Sequence, residues 1–152
     1  MSLYYFLTAF VASIAYAMVF ELHGRTLIMT SLGGGISWLI YKWMSAIPGI
    51  DELVPYLIAT LVVSFYSELM ARKMKKPATL FLIVAMLPLV PGQGIYDTML
   101  AFVNGDSSLG MQRGSRTLAI TGTLALGMLL ASTIFRIIMR GITERAKKET
   151  KH

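Results

Sequence analysis

Residues 87–97 read LPLVPGQGIYD, with two prolines and two glycines inside an otherwise apolar run. The run around them, 78–104, would be about 40 Å long as an unbroken helix, against roughly 30 Å of bilayer hydrocarbon. Pro91 stands at its midpoint. Pro88 and Pro91 each lack an N–H, and in a continuous helix each ring would clash with the carbonyl four residues earlier. Gly92 and Gly94 add conformational freedom. Backbone groups freed at that depth must meet protein or water, never lipid tails. The residues admit two readings. One is a proline kink supported by neighbouring helices. The other is a discontinuous helix whose second half starts near Pro91 and Gly92, with free N–H groups and a positive dipole end turned to a midplane cavity that suits an anion. PGQG is not a nucleotide loop, because no GK[ST] follows it.

Working outward, four more apolar blocks accompany this one, giving spans of about 2–20, 27–47, 54–71, 78–104 and 117–139. Each reaches or approaches the ~20 residues that cross a bilayer. The chain is 55% hydrophobic and 14% charged, well below the ~25% charge of a soluble domain. The expected fold is an all-α integral membrane protein with five transmembrane helices, the fourth broken at the Pro-Gly motif near the midplane. Residues 1–139 form the membrane domain and 140–152 a basic tail. The opening MSLYYFLTAF has no basic n-region, so it reads as a retained helix rather than a signal peptide. Zero cysteines exclude disulfides and thiolate metal sites.

Charge then orients the chain. With the tail in the cytoplasm, Arg25, Arg72, Lys73, Lys75, Lys76, Arg136, Arg140, Arg145, Lys147, Lys148 and Lys151 lie inside, and Lys42, Arg113 and Arg116 outside. Eleven against three accounts for all 14 basic residues and satisfies the positive-inside rule. A re-entrant fourth block would carry the tail's lysines outward, so the block is expected to cross. The net charge of +6 is thereby explained without nucleic acid. The expected location is the cell inner membrane, N-terminus outside and C-terminus cytoplasmic.

The motif LPLVPGQGIYDTM (87–99) resembles the PLVPG…Y…M signature of the threonine/serine exporter family. YSELMARKMKKPATLFLI (66–83) is similar to that family's SE-x-x-AR…P-A-T segment, and GGGISWLIYKW (33–43) resembles its glycine-rich second helix ending in an aromatic pair. The likeness covers essentially the whole chain and is closest to the short, split form, in which a five-helix subunit acts with a separate five-helix partner. The resemblance implies export of small carboxylates such as succinate, or of threonine and serine, with proton motive force as the drive. Topology agrees: five helices repeated give an inverted mate, a common transporter architecture, and the strong charge bias makes that mate a different polypeptide. A homo-oligomer remains the alternative.

Of the eight acidic residues, only Glu68 and Asp97 fall inside the apolar blocks. An intramembrane acid is costly and marks a functional candidate. Glu68 has Arg72 four residues on, the favourable order for a helical ion pair, which is either structural or a gate. Asp97 is placed to cap, to face a vestibule, or to exchange a coupling proton. Gln93 and Tyr96 beside the break are candidate substrate hydrogen-bonders. The candidate transport path is therefore Pro88, Pro91, Gly92, Gln93, Gly94, Tyr96 and Asp97, with Asp97, Glu68 and Arg72 for coupling or gating. Gly33, Gly34 and Gly35 permit close helix approach, and Ala119, Thr123, Gly127 and Ala131 at four-residue intervals, like Ala9, Ser13 and Ala17, form small-residue seams for helix contact within the subunit or with a partner. Tyr4, Tyr5, Trp38, Tyr41 and Trp43 suit an outer aromatic belt. His23 and His152 support no metal site, the eleven methionines fill gaps, and no cofactor is implied.

An embedded enzyme would need a nucleophile with a base, or a metal motif, and neither HExxH nor GxSxG occurs. The reading is thus a subunit of a secondary-active exporter of small organic acids or amino acids. The alternative is an accessory subunit that assembles a partner without touching substrate. The orientation has a direct check: a reporter fused after His152 or within 72–76 behaves as cytoplasmic, and one at 105–110 as external. A cytoplasmic signal at 105–110 would restore the re-entrant hairpin.

Overall fold

The computed structural model describes residues 2–149, with side chains described over residues 3–141 except 140. The side chains of the basic tail, Arg140, Arg145, Lys147, Lys148, Lys151 and His152 among them, lie outside the described residues. Among the described residues the chain is all-helical: α1 (Ser2–Val19), α2 (Gly24–Ser45), α3 (Leu53–Met74), α4 (Ala78–Met86) continued by a 3₁₀ turn (Leu87–Leu89), α5 (Gly92–Val103) and α6 (Ser107–Glu149).

Helix α2 is the centre, packed by α1, α3 and α4, while α3 also packs on α4 and α6, and α5 on α6. Three consecutive glycines make this possible, because successive residues on a helix point about 100° apart. A Cβ on Gly33 would stand 2.9 Å from Ala85 Cβ of α4 and 3.0 Å from the Tyr66 ring of α3. One on Gly34 would collide with Ser13 of α1 and lie 3.5 Å from Pro88, and one on Gly35 would sit 2.7 Å from the Phe6 ring. Backbone contact of this kind is how helices associate where lipid removes the hydrophobic driving force. Tyr66 O–H donates to the Met29 carbonyl (2.7 Å), tying α3 to α2. The main core gathers Ala59 and Val63 of α3, Ala85, Met86 and Leu89 before the break, and Ile120 and Leu124 of α6.

One element differs from expectation. Residues 107–116 are not a loop but the first turns of α6, so the α5–α6 connection is only Asn104 to Asp106. Gly105 (φ +83°) ends α5 in a Schellman pair, Asp106 N–H to Ala101 carbonyl and Gly105 N–H to Phe102 carbonyl, both 3.0 Å. Asp106 then caps α6 by accepting the Leu109 N–H (2.9 Å). Adjacent stop and start signals override the polarity that suggested a loop. Among the described residues, length and composition qualify α3 and Ser107–Met139 for crossing a membrane, and a third span if α4 and α5 act as one. The expected five spans also counted α1, whose apolar stretch Leu3–Val19 is shorter, and α2, which is diluted by glycine, serine and threonine.

The α2 contact is open to test with alanine, which adds helix propensity equally at two sites. An added Cβ at Gly122 meets nothing within 4 Å. Gly34→Ala is therefore expected to destabilise by about 1–3 kcal/mol, as overpacking does, while Gly122→Ala leaves the tryptophan-fluorescence melting curve in place or raises it. Equal shifts for both would remove the packing role of Gly34.

Candidate functional site

The interruption between α4 and α5 is built from the two prolines. Val84, which would otherwise await the missing Pro88 N–H, accepts from Leu87. Leu87, denied a donor at Pro91, accepts from Val90 N–H (3.2 Å). Across Pro91 (φ −77°, ψ 60°) the Gly92 N–H turns back to the Val90 carbonyl at 2.8 Å, an inverse γ-turn. The first bond of α5 runs from Ile95 N–H to the Pro91 carbonyl (3.1 Å). The Gln93 and Gly94 N–H groups consequently stand in the first turn ahead of any carbonyl of their own helix. The two halves are bent by 54°.

The flanks of the break are held differently. On one side Pro88 faces Gly34, and Ser37 O–H of α2 lies 2.9 Å from the Ala85 carbonyl and 2.8 Å from that of Gly34. On the other, a Cβ on Gly94 would stand 2.6 Å from Thr117 Oγ1 of α6. Further along the same pair of helices, Gly114 abuts Thr98 and Gly110 abuts the Phe102 ring. Gly92 has open space around it, Gln93 is exposed, and Tyr96 is 65% exposed. Pro91, Gly94 and Asp97 are half-buried. The path candidates thus share one turn-and-helix start, with Gln93 and Tyr96 facing outward and Pro88 facing α2.

The coupling candidates are not brought together. Arg113 donates through Nη1 to the Asp97 backbone carbonyl (3.4 Å), not to its carboxylate. Glu68 is half-buried on α3, and Arg72 does not pair with it: the guanidinium lies 5.0 Å from the centre of the Phe135 ring. A cation over an aromatic face competes well with an exposed helical ion pair, which is worth only a few tenths of a kcal/mol. Among the described residues the single ion pair is Arg116–Glu52, and no group of three His, Cys, Asp or Glu could hold a metal ion.

The α6 seam also departs from the four-residue pattern. Gly127 and Ala131 are buried, Gly127 against Thr60 (2.8 Å from an added Cβ), but Thr123 is half-buried and Ala119 exposed. The buried face is Thr117, Ile120, Leu124, Gly127, Ala131 and Phe135. Four residues advance a helix by about 400°, so a strict four-residue row drifts about 40° per step off the contact, and alternating threes and fours correct it.

Two features escaped sequence reasoning. Thr60, Ser64 and Ser67 of α3 and Ser13 of α1 are buried with no hydrogen-bond partner, whereas Thr30 and Ser31 bond back to their own helix. The i, i+4, i+7 hydroxyl spacing in α3 was the available signal. Secondly, Tyr41 stacks on Tyr56 (4.5 Å between centroids) and Lys42 stands 5.2 to 5.8 Å from the Trp38, Tyr5 and Tyr41 rings. Trp43, by contrast, is exposed.

A family model described as "Threonine/Serine exporter, ThrE" matches residues 5–134, a stretch that holds the break, the α2 glycines and the whole of α3. The chain belongs to the threonine/serine exporter family. It is 32% identical over 83 residues to a threonine/serine exporter of Corynebacterium glutamicum, covering 55% of this chain and 17% of that relative. The chain therefore spans under a fifth of that relative's length. No solved structure matches it. As a threonine/serine exporter family member with long apolar helices, it is a membrane protein.

The Gly94–Thr117 contact is one of three glycine contacts between α5 and α6 in this exporter-family chain, and the one at the start of the second half-helix. Gly94→Ala should lower thermal stability, Thr117→Ala should do little, and the double variant should recover most of the loss. The cycle should give a coupling of about 0.5–3 kcal/mol by thermal or denaturant unfolding. Additive effects would show that α5 docks by other contacts.

Proposed function

We propose that this chain is a subunit of a secondary-active exporter of small organic acids or amino acids, with substrate meeting the start of α5. One observation carries the reading: in an exporter-family chain, a helix stops at two prolines and restarts with the Gln93 and Gly94 N–H groups uncommitted. Such a start favours a carboxylate through N–H donation and the positive dipole end. Gln93, Tyr96 and Asp97 supply side chains beside it, and Asp97 is the proposed proton-coupling group, with Glu68 and Arg72 gating from α3. The charge bias supports five crossings of the inner membrane, with the Glu52 end of α3 outward. A succinate-like dicarboxylate, threonine or serine is the proposed cargo, and a second five-helix subunit the proposed mate. The accessory reading draws on the outward apolar residues Ile95, Met99 and Val103 of α5, which also suit lipid.

Gly92 makes a clean test, since a Cβ added there meets nothing within 4 Å. Gly92→Leu should abolish exchange of labelled threonine, serine and succinate in liposomes while yield on size exclusion is unchanged. Asp97→Asn keeps the size but removes the titratable group, so gradient-driven export should fall at least tenfold while equilibrium exchange survives. Driven export at wild-type rates by both variants would move the site elsewhere; loss of assembly in place of flux would favour the accessory role.

A further inference from the structure

We propose that Arg116 is a binding group for the carboxylate of the transported solute, and that Glu52 is its resident stand-in, displaced when that carboxylate arrives. The proposal rests on the exporter reading and adds to it a residue outside the break. Arg116 grips Glu52 with both arms of its fork, Nε to Oε2 at 2.7 Å and Nη2 to Oε1 at 2.6 Å. That planar, two-point geometry is how a guanidinium takes any carboxylate.

Glu52 has no other employment. It stands at the N-cap of α3 yet makes no side-chain cap bond; Asp51 accepts the Leu53 N–H instead (2.8 Å). Its carboxylate is given wholly to a residue 64 positions away. The pair is also exchangeable. The side chains are 67% and 43% exposed, and an ion pair in contact with water holds weakly against a competing anion.

Position completes the case. Thr117, next to Arg116, packs on Gly94 at the start of α5, and Arg113, one turn earlier, reaches the Asp97 carbonyl. Arg113 thus reaches the backbone of α5, and Arg116 stands one turn further along α6, next in sequence to the residue that packs on Gly94. Tyr56, four residues after Glu52, stacks on Tyr41 at the same end of α3. When a solute carboxylate takes the Arg116 fork, Glu52 is released and its tie between the start of α3 and α6 opens. Binding and unlatching are then one event, an exchange of one carboxylate for another with no covalent step.

The test reads binding apart from flux. Thermal melting of the full-length protein in nanodiscs would be followed against acetate, threonine and chloride at constant ionic strength, beside exchange of labelled threonine in liposomes. Expected are a saturable rise with acetate and threonine and none with chloride. Glu52→Gln should lower the half-maximal concentration at least fivefold. Arg116→Gln should abolish the response, and Arg116→Lys, lacking the fork, should weaken it at least fivefold. The swap Glu52→Arg with Arg116→Glu should regain wild-type melting without ligand, showing that it folds, yet lose the carboxylate response. A swap that responds and exchanges like wild type would reduce the pair to a structural latch and overturn the proposal. So would an unchanged midpoint in Glu52→Gln, or an equal response to chloride. Exchange that persists in Arg116→Gln would overturn this site and leave the exporter reading intact; carboxylate binding without exchange in the wild type would overturn the exporter reading alone.

Discussion

A carbonyl that has lost its helical donor must find another in surroundings that exclude water, and two prolines in succession create that demand between α4 and α5. Short-range bonds meet part of it: Leu87 serves Val84, Val90 serves Leu87, and Gly92 serves Val90. Ser37 of α2 adds a donor from outside the helix, to the Ala85 carbonyl just before the break. That hydroxyl reaches α4 only because α2 has no side chains at positions 33 to 35 to hold its neighbours off. The glycine triplet and the broken helix meet at one contact, where close approach lets an α2 hydroxyl donate to the α4 backbone beside the break.

The same logic runs through the remaining contacts. Gly127 lets α3 approach α6 at Thr60, and Gly94, Gly110 and Gly114 let α5 lie against the first turns of α6. Each junction joins a glycine to a hydroxyl-bearing or aromatic residue. Packing of this kind gains dispersion contacts without large apolar side chains. It also leaves helix faces that can separate without exposing large apolar side chains, a useful property where the tie between the start of α3 and α6 is proposed to open.

Electrostatics are sparse within the bundle and concentrated at the Glu52 end. There Arg113 reaches the backbone of α5, Lys42 sits among three rings, and Glu52 answers Arg116. Within the apolar elements, Arg72 rests on Phe135 and Asp97 keeps its carboxylate free of any partner among the described residues. A chain arranged this way keeps uncommitted N–H donors at the start of α5 and its described ion pair at the Glu52 end of α3.

Helical character, the apolar blocks, the break at residues 87–92 and the family likeness were all legible in the residue order. Proline chemistry, block length and local motifs are properties of neighbours in sequence. Helix boundaries in α2 and α3 came within three residues of the apolar blocks for the same reason. What the order of residues left open was settled by long-range geometry. Whether residues 107–116 were loop or helix turned on Gly105 and Asp106 acting together. Ala119 falls outside the α6 seam because 3.6 residues per turn do not keep step with a four-residue row. Arg72 chose Phe135 over Glu68, and Glu52 chose Arg116, because partners 63 and 64 positions away came within reach only once α3 and α6 lay side by side. Sequence spacing specifies which residues share a helix face; only the packed bundle decides what that face meets.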